Sequence, residues 1–173
     1  MPLTRIKSLG ITDGTIVNAD INASAAIDST KLSGVANTPA FIAYQSSTQS
    51  ISNNSHTKIQ FQSETLDSNN NFDSTTNYRF TPTTAGYYLI TSNLRCDSGT
   101  GEYYLQLYKN GSNIRNLFDI SGASVYAING SAIVYANGST DYFEIYFYQN
   151  SGTSRTTSSG ESTFFAGFRI LGI

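Results

Sequence analysis

The chain has 173 residues, enough for one domain and an appendage, and only 13% of them are charged, with a formal net charge of -2; this gives no electrostatic footprint for nucleic acid or an anionic membrane as a partner. Ser, Thr, Asn and Gly are plentiful, aromatics reach 13% and tryptophan is absent, which is the balance of a turn-rich β protein rather than a helical one. One histidine and one cysteine exclude an intrachain disulfide and a structural zinc site within the chain, and no apolar run approaches bilayer length.

Residues 1–38 differ in kind from residues 39–173. They hold no aromatic residue, and their large aliphatic positions, Ile6, Leu9, Ile11, Ile16, Ile21, Ile27 and Leu32, are single residues separated by small polar ones. Such a segment cannot build a core alone. Two readings stay open: a disordered leader, or an anchor and stalk in which several chains wrap together and bury the spaced aliphatics. Asp13-Gly14 marks a turn, and Asp28 can cap one short helical turn. The start, Met1-Pro-Leu-Thr-Arg, lacks the pattern of a secretory signal, so synthesis in a host cytoplasm is expected.

Thr38-Pro39 closes this segment, and residues 39–173 form a series of short aromatic and β-branched runs punctuated by turn clusters. That pattern predicts an all-β sandwich or barrel with no helix longer than a single turn. Strands are expected near 40–45, 57–62, 76–81, 86–95, 102–109, 113–119, 125–136, 141–149 and 163–171. Asn110-Gly111 is the strongest hairpin signal, and Asn129-Gly130 reads equally as a bulge or a turn. Between Pro82 and Gly86 the chain turns into a strand whose two faces are both apolar, Tyr88 and Ile90 on one and Tyr87 and Leu89 on the other. The last strand has the same two-sided character. An antiparallel strand normally leaves one polar face to water, so a strand apolar on both sides requires a second cover, and a second copy of the chain supplies one.

The order of the pieces Pro39-Ala-Phe, Tyr78-Arg-Phe-Thr-Pro, Ala85-Gly-Tyr-Tyr, Leu107-Tyr-Lys-Asn-Gly and Phe164-Phe-Ala-Gly-Phe resembles the jelly roll shared by the globular head of the first complement component (subcomponent q) and the tumour necrosis factor family. That resemblance implies a two-sheet antiparallel jelly-roll sandwich over residues 39–173 and a compact homotrimer. Two departures accompany it: the turn at Asn137-Gly-Ser-Thr-Asp141 is longer than the family's Gly-Asp, and no collagen repeat precedes the domain. In its place, Ile11 to Ile21 and Ala25 to Leu32 are similar to N-terminal segments of bacteriophage fibre and virion appendage proteins. The pairing implies a virion structural protein whose residues 1–38 hold the knob on a capsid, neck or tail protein.

Several chemistries fail on the residues. His56 sits in a polar turn, Cys96 follows a strand expected to be buried, and in Asp67 to Tyr78 the positions a calcium loop reserves for glycine and glutamate carry Phe72 and Tyr78. With four glutamates and no tryptophan, catalysis is not expected, nor is a cofactor or a metal. By parity and the implied trimer, Tyr87, Leu89, Phe165, Arg169 and Leu171 are expected to face neighbouring subunits. Tyr88, Ile90, Phe143, Ile145, Phe147, Phe164 and Phe168 are expected in the core. If strands reverse at each connection, the loops 95–102, 119–125 and 149–162 gather away from the anchor, and Asp97, Glu102, Arg155 and Glu161 are the candidate contacts to a host surface glycan. The resemblance implies a place on the virion surface and leaves three roles open: a short head or neck fibre, a tail-fibre tip or receptor-binding protein, and a purely structural capsid decoration.

Overall fold

The computed structural model describes residues 38–171; the anchor positions Ile6, Leu9, Ile11, Ile16, Ile21, Ile27 and Leu32 lie outside the described residues. The strands in chain order are β1 (Ala40–Gln45), β2 (Ser50–Ile51), β3 (Thr57–Lys58), β4 (Ser63–Asp67), β5 (Phe72–Asp73), β6 (Arg79–Phe80), β7 (Gly86–Arg95), β8 (Thr100–Lys109), β9 (Ser112–Ser124), β10 (Ala127–Ala136), β11 (Phe143–Gln149), β12 (Arg155–Thr156) and β13 (Gly160–Arg169). No helix occurs among the described residues. One sheet has the order β10-β7-β13-β1-β4, the other β5-β6-β11-β8-β9 with β3 also on β11, and β2 with β12 forms a separate ribbon. Every pairing is antiparallel. The domain is an all-β, two-sheet jelly-roll sandwich: the strand pattern predicts a sandwich or barrel, and the family resemblance implies the jelly roll.

Local chemistry sets the long strands. Asn110 and Gly111 take φ of 53° and 79°, the left-handed pair that a two-residue hairpin needs, and they join β8 to β9. In β7 the residues Tyr88, Ile90, Ser92 and Leu94 are buried and alternate with partly exposed ones. Phe143, Ile145 and Phe147 of β11 fill the opposite wall, each fully buried as expected. The centre of the core is aromatic: Phe41 stacks on Phe80 at 4.2 Å and meets the edge of Phe165 at 4.8 Å, with Phe61 5.6 Å from Phe165. Such ring pairs each contribute about 0.5–1.5 kcal/mol beyond their buried area.

The last strand corrects the sequence reading. Phe165 is completely buried and Phe168 is 40% exposed, with Phe164 only partly covered, so the set expected to meet neighbours points into the core and the set expected in the core points out. Register explains the inversion. Gly167 lies opposite both Phe41 and Ile90, and a Cβ there would press on the Ile90 Cδ1 at 2.7 Å and the Phe41 ring at 3.1 Å. The core side of β13 therefore carries Thr163, Phe165 and Gly167, all buried, because two large side chains from neighbouring strands already fill the space. Arg169 pairs with buried Tyr88 and runs beneath Gly86, its Nε buried and without a partner among the described residues. It is not on the outer face. Leu171 lies beyond the strand and is half-buried.

Other differences have equally local causes. The strand expected at 57–62 is cut to β3 because the chain crosses from the second sheet to the first there; Ile59 and Phe61 stay fully buried during the crossing, and β4, absent from the sequence expectation, then pairs with β1. The strand expected at 76–81 shortens to β6, since Asp73 organises the residues before it. Its carboxylate accepts N–H bonds from Thr76 at 2.8 Å, Thr75 at 3.0 Å and Asn77 at 3.1 Å, which hold it well below the usual carboxylate range, the Thr76 bond foremost. Asn129-Gly130 is neither bulge nor turn, for β10 pairs with β7 without a break from Ala127 to Ala136. Gly130 is needed for a different reason: a Cβ there would fall on the carbonyl of Leu117 in β9. We expect Gly130→Ala to cost about 1–3 kcal/mol through forced backbone displacement, read as a lowered unfolding midpoint by circular dichroism; an unchanged midpoint would mean that β9 draws back freely.

Candidate interaction surfaces

The outer face of the first sheet is apolar across five strands. Tyr87 and Leu89 on β7 lie there, beside Phe168 on β13 and Ile42 on β1. Cross-strand partners share a face, so Leu89 has Phe168 on one side and Ile133 on the other, and Leu66 on β4 continues the row beyond Ile42. Ile133 is 56% exposed, and Tyr87, Leu66 and Ile42 are each more than 40% exposed. Tyr87 and Tyr135 meet edge to face at 5.5 Å. Two hollows open on this face: one of about 250 Å³ lined by Ile42, Leu66, Leu89 and Phe168, and one of about 420 Å³ lined by Tyr44, Phe164, Ala166 and Glu161. Tyr87 and Leu89 lie on the face opposite Tyr88 and Ile90, as the alternation predicts. Ile42, Leu66, Ile133 and Tyr135 escape the sequence reading, although Ala132-Ile133-Val134-Tyr135 is apolar on both parities and yields to the same argument as Tyr87 to Ile90.

Strand pairing also fixes the ends. β1 and β7 both run antiparallel to β13, so the connections after Arg95, after Ser124 and after Gln149 lie at the end opposite the entry at Ala40. The loops 95–102 and 149–162 are thus together, as expected, while the loop expected at 119–125 is reduced because β9 continues to Ser124. The 149–162 stretch is not an open loop. β12 within it pairs with β2, and Thr157 bridges to Cys96.

Within this end, three of the four candidate contacts hold the loops themselves. Arg155 donates from Nε to the Ser151 hydroxyl and from a terminal nitrogen to the Ser98 carbonyl at 2.7 Å. Asp97 accepts from the Thr156 N–H at 2.6 Å, and the Glu102 carboxylate accepts from the Asn150 amide at 3.0 Å. Glu161 stands elsewhere, exposed on the rim of the larger apolar hollow. Cys96 is buried, and burial first, with Asp97 second, pushes its thiol up to about 11; it is a protonated core residue, not a thiolate nucleophile. Among the described residues no group of three His, Cys, Asp or Glu side chains could hold a metal ion.

The outer face of the second sheet has a different chemistry. Tyr104 and Tyr108 project from β8, Tyr146 and Tyr148 from β11, and they pack as two parallel pairs, Tyr104 with Tyr148 at 5.1 Å and Tyr108 with Tyr146 at 3.9 Å. The His56 ring extends the first pair, 4.7 Å from Tyr148. Its Nδ1 is 2.6 Å from the Gln106 Oε1, the Gln106 amide donates to Asn116 at 3.0 Å, and the Asn116 amide donates to Asp119 at 3.2 Å. Lys58 is neutralised by Glu144 at 3.0 Å. Sequence alternation places the tyrosines on one parity of β11, but the companion row on β8 and the amide chain need the register.

The sequence matches no family model and no curated protein. Solved structures are similar in fold. The globular domain of zebrafish complement 1qA protein is 18% identical, with 77% of this chain and 98% of that one covered and a TM-score of 0.50. Murine APRIL is 13% identical over 76% of this chain and 98% of its own, with a TM-score of 0.57. PRD1 vertex protein P5 is 19% identical over 76% and 96%, with a TM-score of 0.53. At such identities the likeness speaks for architecture alone, and the architecture it establishes is the jelly roll of the complement head and tumour necrosis factor type.

Proposed function

We propose that the protein is a non-enzymatic structural component of a bacteriophage virion, a homotrimeric knob held on the particle by residues 1–38. The observation that carries the assembly is the outer face of the first sheet. Leu89, Phe168, Ile42, Leu66 and Ile133 form one continuous apolar row across all five strands, and a contiguous exposed apolar patch of this kind marks an interaction site. A closed ring of copies covers such a surface with itself and leaves none exposed. The number three rests on the resemblance to the complement and tumour necrosis factor jelly rolls, and the virion on two further supports: the likeness of residues 11–32 to phage appendage segments, and a neighbour in fold, PRD1 vertex protein P5.

Light scattering of the whole chain is expected to give three times the 18.8 kDa of one copy; a monomer would overturn the reading. A chain that begins at Pro39 should still assemble, because the described residues hold a buried aromatic core of their own, and should fail to enter particles. Normal incorporation would refute the anchoring role.

A further inference from the structure

The two outer faces of the sandwich differ in kind, and the difference points to a second binding surface. On the first sheet's face Leu89, Phe168, Ile42, Leu66 and Ile133 form an aliphatic and phenyl row with Tyr87 and Tyr135 beside it, the chemistry of a protein interface. On the second sheet the outward positions of β8 and β11 hold Tyr104, Gln106 and Tyr108 beside Glu144, Tyr146 and Tyr148, with no aliphatic group among them. We propose that this face is a binding platform for a neutral saccharide, with the Tyr104–Tyr148 pair and the His56–Gln106–Asn116–Asp119 hydrogen-bonded chain at its centre.

Three features carry the assignment. First, a sugar offers apolar C–H patches ringed by hydroxyl groups, and it needs a surface that alternates aromatic carbon with fixed donors and acceptors at the same short spacing. Stacked phenol rings flanking a chain of oriented amides supply that alternation. Second, the amides are already oriented: Gln106 is 3% exposed and held from both sides, by His56 and by Asn116. Gln106 is itself out of a ligand's reach, but it fixes the exposed His56 and Asn116 on either side, so a ligand meets groups whose ordering cost is already met by the fold. Third, Lys58 is already paired with Glu144, while the carboxylates of Glu102 and Asp119 stand beside Tyr104; this residual negative charge favours an uncharged glycan over a sialylated or sulfated one. By contrast Arg155, Asp97 and Glu102 at the far end are engaged with their own loops.

The inference builds on the proposed trimer in one respect: if the first sheet faces the axis, the second sheet faces outward three times, and weak single-site contacts gain avidity. The test uses the full chain and a panel of neutral oligosaccharides of glucose, galactose and N-acetylglucosamine with sialylated and sulfated counterparts. With no tryptophan in the chain but twelve tyrosines, the change in tyrosine emission on titration is read as the difference between the unaltered chain and Tyr104→Ser. Saturable binding of neutral members is expected, weakened by about fivefold or more in Tyr104→Ser and in Asn116→Ala, and unchanged in Glu161→Gln. Asn116 is exposed, so its variant keeps the core intact, and circular dichroism verifies this. Absence of binding to every neutral member, preference for the charged ones, or binding insensitive to both substitutions would each overturn the platform. Light scattering on the same samples separates the two readings: a trimer that binds no sugar removes the platform alone, and a monomer that binds it removes the trimer alone.

Discussion

Phe165→Ala is expected to remove about 3–5 kcal/mol of folding stability, the range for deleting a fully buried phenyl ring. The ring is completely buried and touches Phe41, Phe61 and Phe72 at centroid distances of 4.8 to 5.8 Å, so truncation loses contacts on several sides and leaves a cavity that stiff β-strands cannot close. A domain of this size has roughly 5–15 kcal/mol in all, which makes the loss a large fraction. Phe168→Ala, three residues on, is the matched control. Phe168 is 40% exposed on the outer face, and in a single copy its removal should cost well under half as much. Both measurements belong in a monomeric background, because assembly adds apparent stability of its own. Urea midpoints read the difference, and a larger loss for Phe168 than for Phe165 would mean that the last strand is out of register by one residue.

Leu89→Asp is expected to supply that background by dissociating the trimer while leaving the fold in place. Leu89 lies opposite Phe168 and Ile133 and lines the apolar hollow of the first sheet's outer face. In a ring of copies a carboxylate there is removed from water without a partner, at several kcal/mol for each subunit, and every 1.4 kcal/mol is a factor of ten in the association constant. The association constant should then fall by roughly a thousandfold or more, enough to give monomers at micromolar concentration. In the free subunit the same carboxylate stays at a half-open surface, so the circular dichroism spectrum should be retained. A trimer that persists by light scattering would show that the copies associate through another face.

These two experiments turn on the point where sequence and structure part. Parity over Tyr87 to Ile90 is legible in the sequence because Gly86, at φ +147°, fixes where the strand begins and buried Tyr88 is anchored by its hydroxyl to the Thr84 carbonyl at 2.6 Å. The last strand also begins at a glycine of positive φ, Gly160 at 97°, but its order alone does not say which parity faces inward. Bulk alone assigns its larger apolar set, Phe164, Ala166, Phe168 and Ile170, to the inside, yet the inward side has room only for glycine at position 167.

The class of fold, the turn at Asn110-Gly111, the bounds of the strands at 40–45 and 86–95, and the need for a second cover on Tyr87 and Leu89 are all written in the amino-acid order. Each of these comes from alternation and turn chemistry within a few consecutive residues. Three other facts emerge only once the strands are assembled: which side of β13 is core, that Arg155 and Asp97 hold their own loops, and that the tyrosines of β8 and β11 stand together on one face. Those facts depend on which strand lies beside which and in what register. Parity tells a strand that it has two faces, and only the side chains of its neighbours, Phe41 and Ile90 in this case, settle which of the two there is space to bury.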